Sequence, residues 1–276
     1  MEQVALSTVR SGFVPHRVAT PDQAHVVHLG PNGGPGVLLL HELMGLTDET
    51  FELAEAITAA GFRVAVPHLF GPAGGDGSMP AGSAGLIGRC IAREMSLLAR
   101  NQPRKGTEWL AEAASWLGTH TTSPRGVAVI GMCATGAFAM AAVLDPQVKA
   151  VVASQAAFPM LRPGSWAIPG GDEQLGSGDK GVMTLRFRRD CKSAKRRVER
   201  LPDLVGGEPP THRREGPASP DPKAAPSVRG IDVSEGGRLH VVWADGRGHS
   251  VLTASRVDRA VVEVAAFLRK NLHPAA

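Results

Sequence analysis

The sequence predicts an α/β protein, a mostly parallel twisted sheet with helices on both faces. Three observations predict it. Short unbroken apolar runs recur along the chain, as expected for strands buried on both sides. Segments of helical periodicity separate them, the alternation that builds a covered parallel sheet. The 276 residues are 43% apolar and 20% charged, a globular composition sufficient for one large core. One domain over residues 1–276 is therefore expected.

Each element follows from its residues. His25 to Leu29 reads as a first strand, and Gly36-Val37-Leu38-Leu39-Leu40 as a second that runs into His41-Glu42. Thr50 to Ala60 places Phe51, Leu53, Ala54 and Ile57 on one side of a helix, and Gly61 stops it. Phe62 to Val66 is a strand closed by Pro67. Leu86 to Arg100 and Thr107 to Leu117 read as helices, Val127 to Ile130 as a strand and Ala137 to Leu144 as an alanine-rich helix. Val148 to Ala153, Val182 to Phe187 and Arg238 to Trp243 are further strands. Arg256 to Leu272 is a closing amphipathic helix with Val257, Val261, Val264, Ala265 and Leu268 along one side.

Three stretches read as irregular. Gly71 to Gly85 holds six glycines but lacks the G-K-[ST] ending of a phosphate loop. Gly164 to Gly181 carries Trp166 and reads as a possible lid. Residues 206–229 hold six prolines and almost no aliphatic side chains, which predicts a flexible insertion.

Composition narrows the function. The chain has no tyrosine and only 4% aromatic residues, which supplies stacking on nucleic acid poorly. The three cysteines, Cys90, Cys133 and Cys191, are far apart, which predicts neither a disulfide framework nor a zinc knuckle and suits a reducing compartment. The first 19 residues have no apolar signal core, and no run is long enough to span a membrane. A cytoplasmic protein is expected, with no membrane or nucleic-acid partner and no stated oligomeric form. Residues 186–200 carry a net charge of +6 against +4 for the whole chain. Such a run is either a solvated face or a surface for an anion.

The chemistry gathers at Gly131-Met132-Cys133-Ala134-Thr135-Gly136, between a strand and a helix. The pattern is that of a G-x-S-x-G nucleophile elbow with sulfur at the apex. The glycines allow a sharp turn where side chains would collide with the neighbouring strand and helix. The helix N-terminus favours thiolate over thiol. A thiol nucleophile needs a base, and the base an orienting acid. His249, in Gly246-Arg247-Gly248-His249-Ser250, follows the last strand and suits the base. Asp190, directly after the strand ending Phe187-Arg188-Arg189, suits the acid, with Asp245 its main competitor. Glu42 ends a strand beside the elbow, where it can accept the thiol proton and hold it until substrate arrives. Backbone N–H groups of Leu43 and Ala134 suit an oxyanion hole. His25, His28, His41 and His68 lack zinc-ligand spacing, so neither a metal nor another cofactor is expected.

These pieces together resemble the dienelactone hydrolase family of α/β-hydrolases. The matching residues are His41 to Leu46, Gly131 to Gly136, the strand leading to Asp190, and Gly248-His249-Ser250. The resemblance implies an α/β-hydrolase fold with an eight-stranded sheet and a Cys133–His249–Asp190 triad, with Glu42 first taking the thiol proton. It implies hydrolysis of a small-molecule ester, lactone or thioester. One departure stands out: well-known members carry, four residues after the histidine, an arginine that grips a substrate carboxylate, and this chain has Thr253. Two other readings use the same residues: a non-catalytic binding protein on the same scaffold, and redox sensing by Cys133 with Cys191 as partner.

Overall fold

A computed structural model describes residues 12–31, 33–71, 105–122, 125–157, 164–207, 210–217 and 225–273. The strands are β1 (Val14–Ala19), β2 (Ala24–Leu29), β3 (Gly36–Leu40), β4 (Arg63–Pro67), β5 (Val127–Met132), β6 (Val148–Ser154), β7 (Gly181–Arg189), β8 (Thr211–Glu215), β9 (Ile231–Gly236) and β10 (Leu239–Arg247). The helices are α1 (Asp48–Ala59), α2 (Lys105–Thr119), α3 (Gly136–Ala141), α4 (Lys195–Glu199), α5 (Leu201–Val205) and α6 (Asp258–Leu272). The helix expected at Leu86 to Arg100, Cys90 and nearly all of the glycine-rich stretch 71–85 lie outside the described residues.

The strands form one mixed sheet in the order β1-β2-β4-β3-β5-β6-β7-β10-β9-β8. The six from β4 to β10 run parallel. An antiparallel pair extends each edge. Every residue of β3 is buried, and its side chains alternate between two cores. Val37 and Leu39 join Ile130 and Val152 beneath Phe51, Leu53 and Ile57 of α1 and Val264 and Leu268 of α6. Leu38 and Leu40 join Val129 and Val151 beneath Trp109, Ala113 and Leu117 of α2 and Met140 of α3. Thr47 caps α1 by accepting the N–H of Thr50, and Gly61 reverses the chain at φ +100°. No helix among the described residues is long and apolar enough to cross a membrane.

The ten described strands replace the eight implied by the resemblance. The strands that the hydrophobic pattern missed, β1, β8 and β9, lie in the antiparallel edges, where one face meets solvent and polar residues interrupt the apolar run. The β9–β10 hairpin did leave a sign, Gly236-Gly237-Arg238 between two alternating segments. Strand β8 lies within 206–229, read from composition as a flexible insertion. Its backbone pairs with β9, and Arg213 and Arg214 reach Glu263, Asp232 and Asp245. Charge pairing and ladder hydrogen bonds hold a strand that has no aliphatic side chains to bury.

Candidate active site

The C-terminal ends of the parallel strands β3, β5, β6, β7 and β10 lead into Glu42, Cys133, Gln155, Asp190 and His249 in turn. This is the edge where open α/β sheets carry their sites.

Cys133 follows β5 at φ +52°, a left-handed conformation that a β-carbon disfavours. Strain of this kind is held by what surrounds it. A β-carbon on Gly131 would lie 2.3 Å from the carbonyl oxygen of Thr135, and one on Gly136 2.8 Å from the Ala156 β-carbon. The position two after the cysteine is Thr135, not glycine. Its hydroxyl accepts the N–H of Met132 at 2.9 Å and faces the carbonyl of His41 at 3.0 Å, fastening the elbow to the end of β3. Gly131→Ala must displace backbone, so we expect a loss of about 1–3 kcal/mol, read as a lowered urea midpoint. An unchanged midpoint would mean that the elbow yields without cost.

His249 Nδ1 and Asp190 Oδ2 are 2.8 Å apart. The other oxygen of Asp190 accepts the N–H groups of Lys192 at 2.8 Å and Ser193 at 3.1 Å. Burial alone would raise the Asp190 pKa. The hydrogen bond and charge of His249, with the two backbone N–H groups, outweigh it and hold the carboxyl below its ordinary value. Burial likewise opposes charge on His249, but Asp190 and Cys133 together lift its pKa to about 9. Nε2 of His249 is buried with no partner in full hydrogen-bond geometry among the described residues. Cys133 is nevertheless close enough to act on it electrostatically. Asp245 is turned elsewhere, to Arg214 and Arg188.

Glu42 is half-buried, and its carboxylate is fully engaged. Oε1 accepts Gln155 Nε2 at 3.0 Å and the Thr253 hydroxyl at 2.5 Å, and Oε2 accepts the Ser250 hydroxyl at 2.7 Å. No hydrogen bond joins it to Cys133 among the described residues. His41, wholly buried, is held neutral because burial pushes its pKa down to about 3. Its Nε2 accepts the Leu69 N–H at 3.0 Å, so Nδ1 carries the proton and donates to the Glu42 carbonyl at 2.7 Å. His41 thus fixes the loop that carries Leu43.

The sequence profile of the dienelactone hydrolase family matches residues 19–161, just over half of the chain. The chain belongs to the dienelactone hydrolase family. The matched segment contains Glu42 and the Cys133 elbow and stops before Asp190 and His249. No curated protein matches the chain in sequence. Among solved structures, similarity extends to a dienelactone hydrolase-like promiscuous phosphotriesterase, P91, from metagenomic libraries (TM-score 0.60, 14% identity, 95% of this chain and 99% of that one). It extends also to the Pyrococcus furiosus esterase Pf2001 (0.57, 12%, 94% and 93%) and to 2,6-dihydroxy-pseudo-oxynicotine hydrolase (0.57, 14%, 95% and 68%). At these identities the likeness is one of fold, the α/β-hydrolase fold.

In this dienelactone hydrolase family member the thiol emerges among apolar side chains. Cys133, like Leu43, Phe70 and Phe138, packs against a cluster of the buried Ala134, Ala137 and Ala167. Leu43 and Ala134, the expected oxyanion-hole residues, belong to the same apolar cluster. Thr253, in the place of the substrate-gripping arginine, is spent on Glu42.

Sequence reasoning missed the arginines that hold these loops. Arg186 is buried, and its Nη2 donates at 2.7 Å to the carbonyls of both Asp190 and Ser193, closing the turn that presents Asp190. Arg197 is 1% exposed and donates to the carbonyls of Ser165 at 2.7 Å and Ala156 at 2.6 Å. Trp166 is fully buried against it, with Nε1 donating to the Arg197 carbonyl at 3.2 Å. The segment read as a possible lid is thus anchored at Trp166. The basic run is, at these two positions, neither a solvated face nor an anion surface, but a pair of internal braces.

Proposed function

We propose that the protein hydrolyses an ester, lactone or thioester through Cys133, His249 and Asp190. The observation that carries this reading is the 2.8 Å contact of His249 with Asp190, with the opposite ring nitrogen buried beside the strained cysteine. Asp190 keeps the proton on Nδ1, so that Nε2 can hold the proton taken from the thiol as an imidazolium. The thiolate then adds to the carbonyl carbon. Backbone N–H groups of Leu43 and Ala134 receive the oxyanion. The bond to the leaving group breaks as the imidazolium returns its proton to the departing oxygen or sulfur. In the second half, His249 deprotonates a water, which attacks the thioester and releases the acid and the free thiol. The apolar cluster on which Cys133 packs, with Leu43, Phe70 and Phe138 against the same alanines, favours an apolar acyl group.

The test is to trap the acyl-enzyme. With p-nitrophenyl butyrate, whose leaving group needs no proton, an acyl adduct on the Cys133 peptide should accumulate in His249→Asn and be absent from Cys133→Ala, as read by mass spectrometry. Turnover that survives in Cys133→Ala would overturn the reading. With an alkyl ester, whose leaving group does need the proton, kcat/KM should fall as pH rises through about 9, where the imidazolium is lost.

A further inference from the structure

Strand β8 and the start of the basic run meet at a cavity of about 460 Å³ on the antiparallel side of the sheet. Its walls are Arg188 of β7, Trp243 of β10, Asp232 and Ser234 of β9, and His212 and Arg214 of β8. Strand register brings them together. Trp243 stands opposite Asp232, Asp232 opposite Arg214, and Ser234 opposite His212. Paired positions share one face of a pleated sheet, here the face on which Trp243 borders the second core. Neither Cys133, Asp190 nor His249 lines the cavity.

The polar groups left over on these walls are donors. The Asp232 carboxylate is taken by Nη1 of Arg214 at 2.8 Å and by Nη2 of Arg188. Asp245 accepts the rest of the Arg214 fork, so two arginines balance two carboxylates. Nη1 of Arg188, the Ser234 hydroxyl, the His212 ring and the Trp243 indole N–H have no hydrogen-bond partner among the described residues, and Nε of Arg214 is buried without one. Arg186, with its guanidinium carbon 5.4 Å from the Trp243 ring centroid, donates only to carbonyls, so no hydrogen-bonded acid cancels its charge. We propose that this cavity binds a small aryl carboxylate, with the carboxylate on Arg188, Ser234 and His212 and the ring on Trp243. An ionised carboxylate only accepts, which suits a wall of donors. A flat ring suits the single aromatic surface the cavity has. The volume lies within the roughly 300–1,000 Å³ of small-molecule sites. The inference does not depend on the chemistry proposed for Cys133.

The experiment is a calorimetric titration of the full chain with benzoate, cyclohexanecarboxylate, benzamide and inorganic phosphate. Benzoate should bind with one site per chain. Cyclohexanecarboxylate keeps the charge and loses the flat ring, and benzamide keeps the ring but brings an NH₂ to a wall of donors. Each should bind at least about tenfold more weakly, as should phosphate, which has no ring. Arg188→Ala should weaken benzoate by about tenfold or more, the scale of one lost charged hydrogen bond, while Arg214 still holds Asp232 and Asp245. Trp243→Leu should weaken benzoate but not phosphate. Alkylating Cys133 with iodoacetamide beforehand should leave benzoate binding unchanged. Benzoate that fails to bind, or binding that survives Arg188→Ala, would overturn the proposal. Loss of binding on Cys133 alkylation would place benzoate at the cysteine instead and overturn it equally. Phosphate bound as tightly as benzoate would remove the ring from the assignment and overturn the aryl class. Should Trp243→Leu not fold, Arg188→Ala and the comparison with cyclohexanecarboxylate decide the matter.

Discussion

Asp190→Asn is expected to lower kcat on alkyl esters by on the order of 10³-fold or more, with little change in stability. The reason is directional. In the native site one Asp190 oxygen accepts two backbone N–H groups, from Lys192 and Ser193. An asparagine must place its carbonyl oxygen there, because the NH₂ group cannot accept. The NH₂ then faces His249 Nδ1 and donates to it, which forces the ring proton onto Nε2. In that tautomer the nitrogen nearest Cys133 cannot take the thiol proton. Loss of the Asp190 charge also removes part of what lifts His249 to about 9, so Cys133 alkylation at neutral pH should slow in parallel. Asp245→Asn is the control. That carboxylate is held by Arg214 and Arg188, away from His249, and kcat should change by less than about threefold. A damaging Asp245→Asn beside a tolerated Asp190→Asn would reverse the assignment of the acid.

Arg197→Ala is expected to give the largest loss of stability, about 3–4 kcal/mol. The guanidinium is buried, and burial pulls its pKa down to about 10, opposed by the charge of Asp172, so it remains charged at neutral pH. It fills two carbonyls and lies over the Trp166 ring, 5.5 Å from the centroid. Removing it orphans those carbonyls and opens space against a buried indole. Lysine is not a remedy, because one ammonium lacks the planar fork that reaches both acceptors. Activity should fall as well, since the same brace carries Ala167, held at φ +57° in the cluster against which Cys133 packs. Urea unfolding read by tryptophan fluorescence checks the first point. A midpoint near that of wild type would show that the brace is dispensable.

Much of the candidate site could be read in the chain because strand ends are visible in it. Apolar runs end where Glu42, Cys133 and Asp190 begin, and a parallel sheet puts successive strand ends on one edge. The glycines of the elbow were legible for a similar reason, since only a close backbone approach explains them at such a turn. The G-x-S-x-G pattern puts its second glycine two positions after the nucleophile, where this chain has Thr135 and carries the glycine one position further on, at Gly136. The basic run misled because formal charge says nothing of burial. Only the fold shows that Arg186 and Arg197 find carbonyls inside the protein.

The sequence by itself determined the α/β class, the buried strands, the cysteine turn, and which residues could serve as acid and base. These depend on local pattern: periodicity, turn chemistry and side-chain type within a few positions. The tertiary structure alone decided that Asp190 rather than Asp245 faces His249, that the Glu42 carboxylate is spent on Gln155, Ser250 and Thr253, and that β8 and β9 extend the sheet. Each of those depends on hydrogen bonds and ion pairs between residues far apart in the chain. Such pairings are directional and short-ranged, and a one-dimensional sequence does not record which distant partner comes within reach.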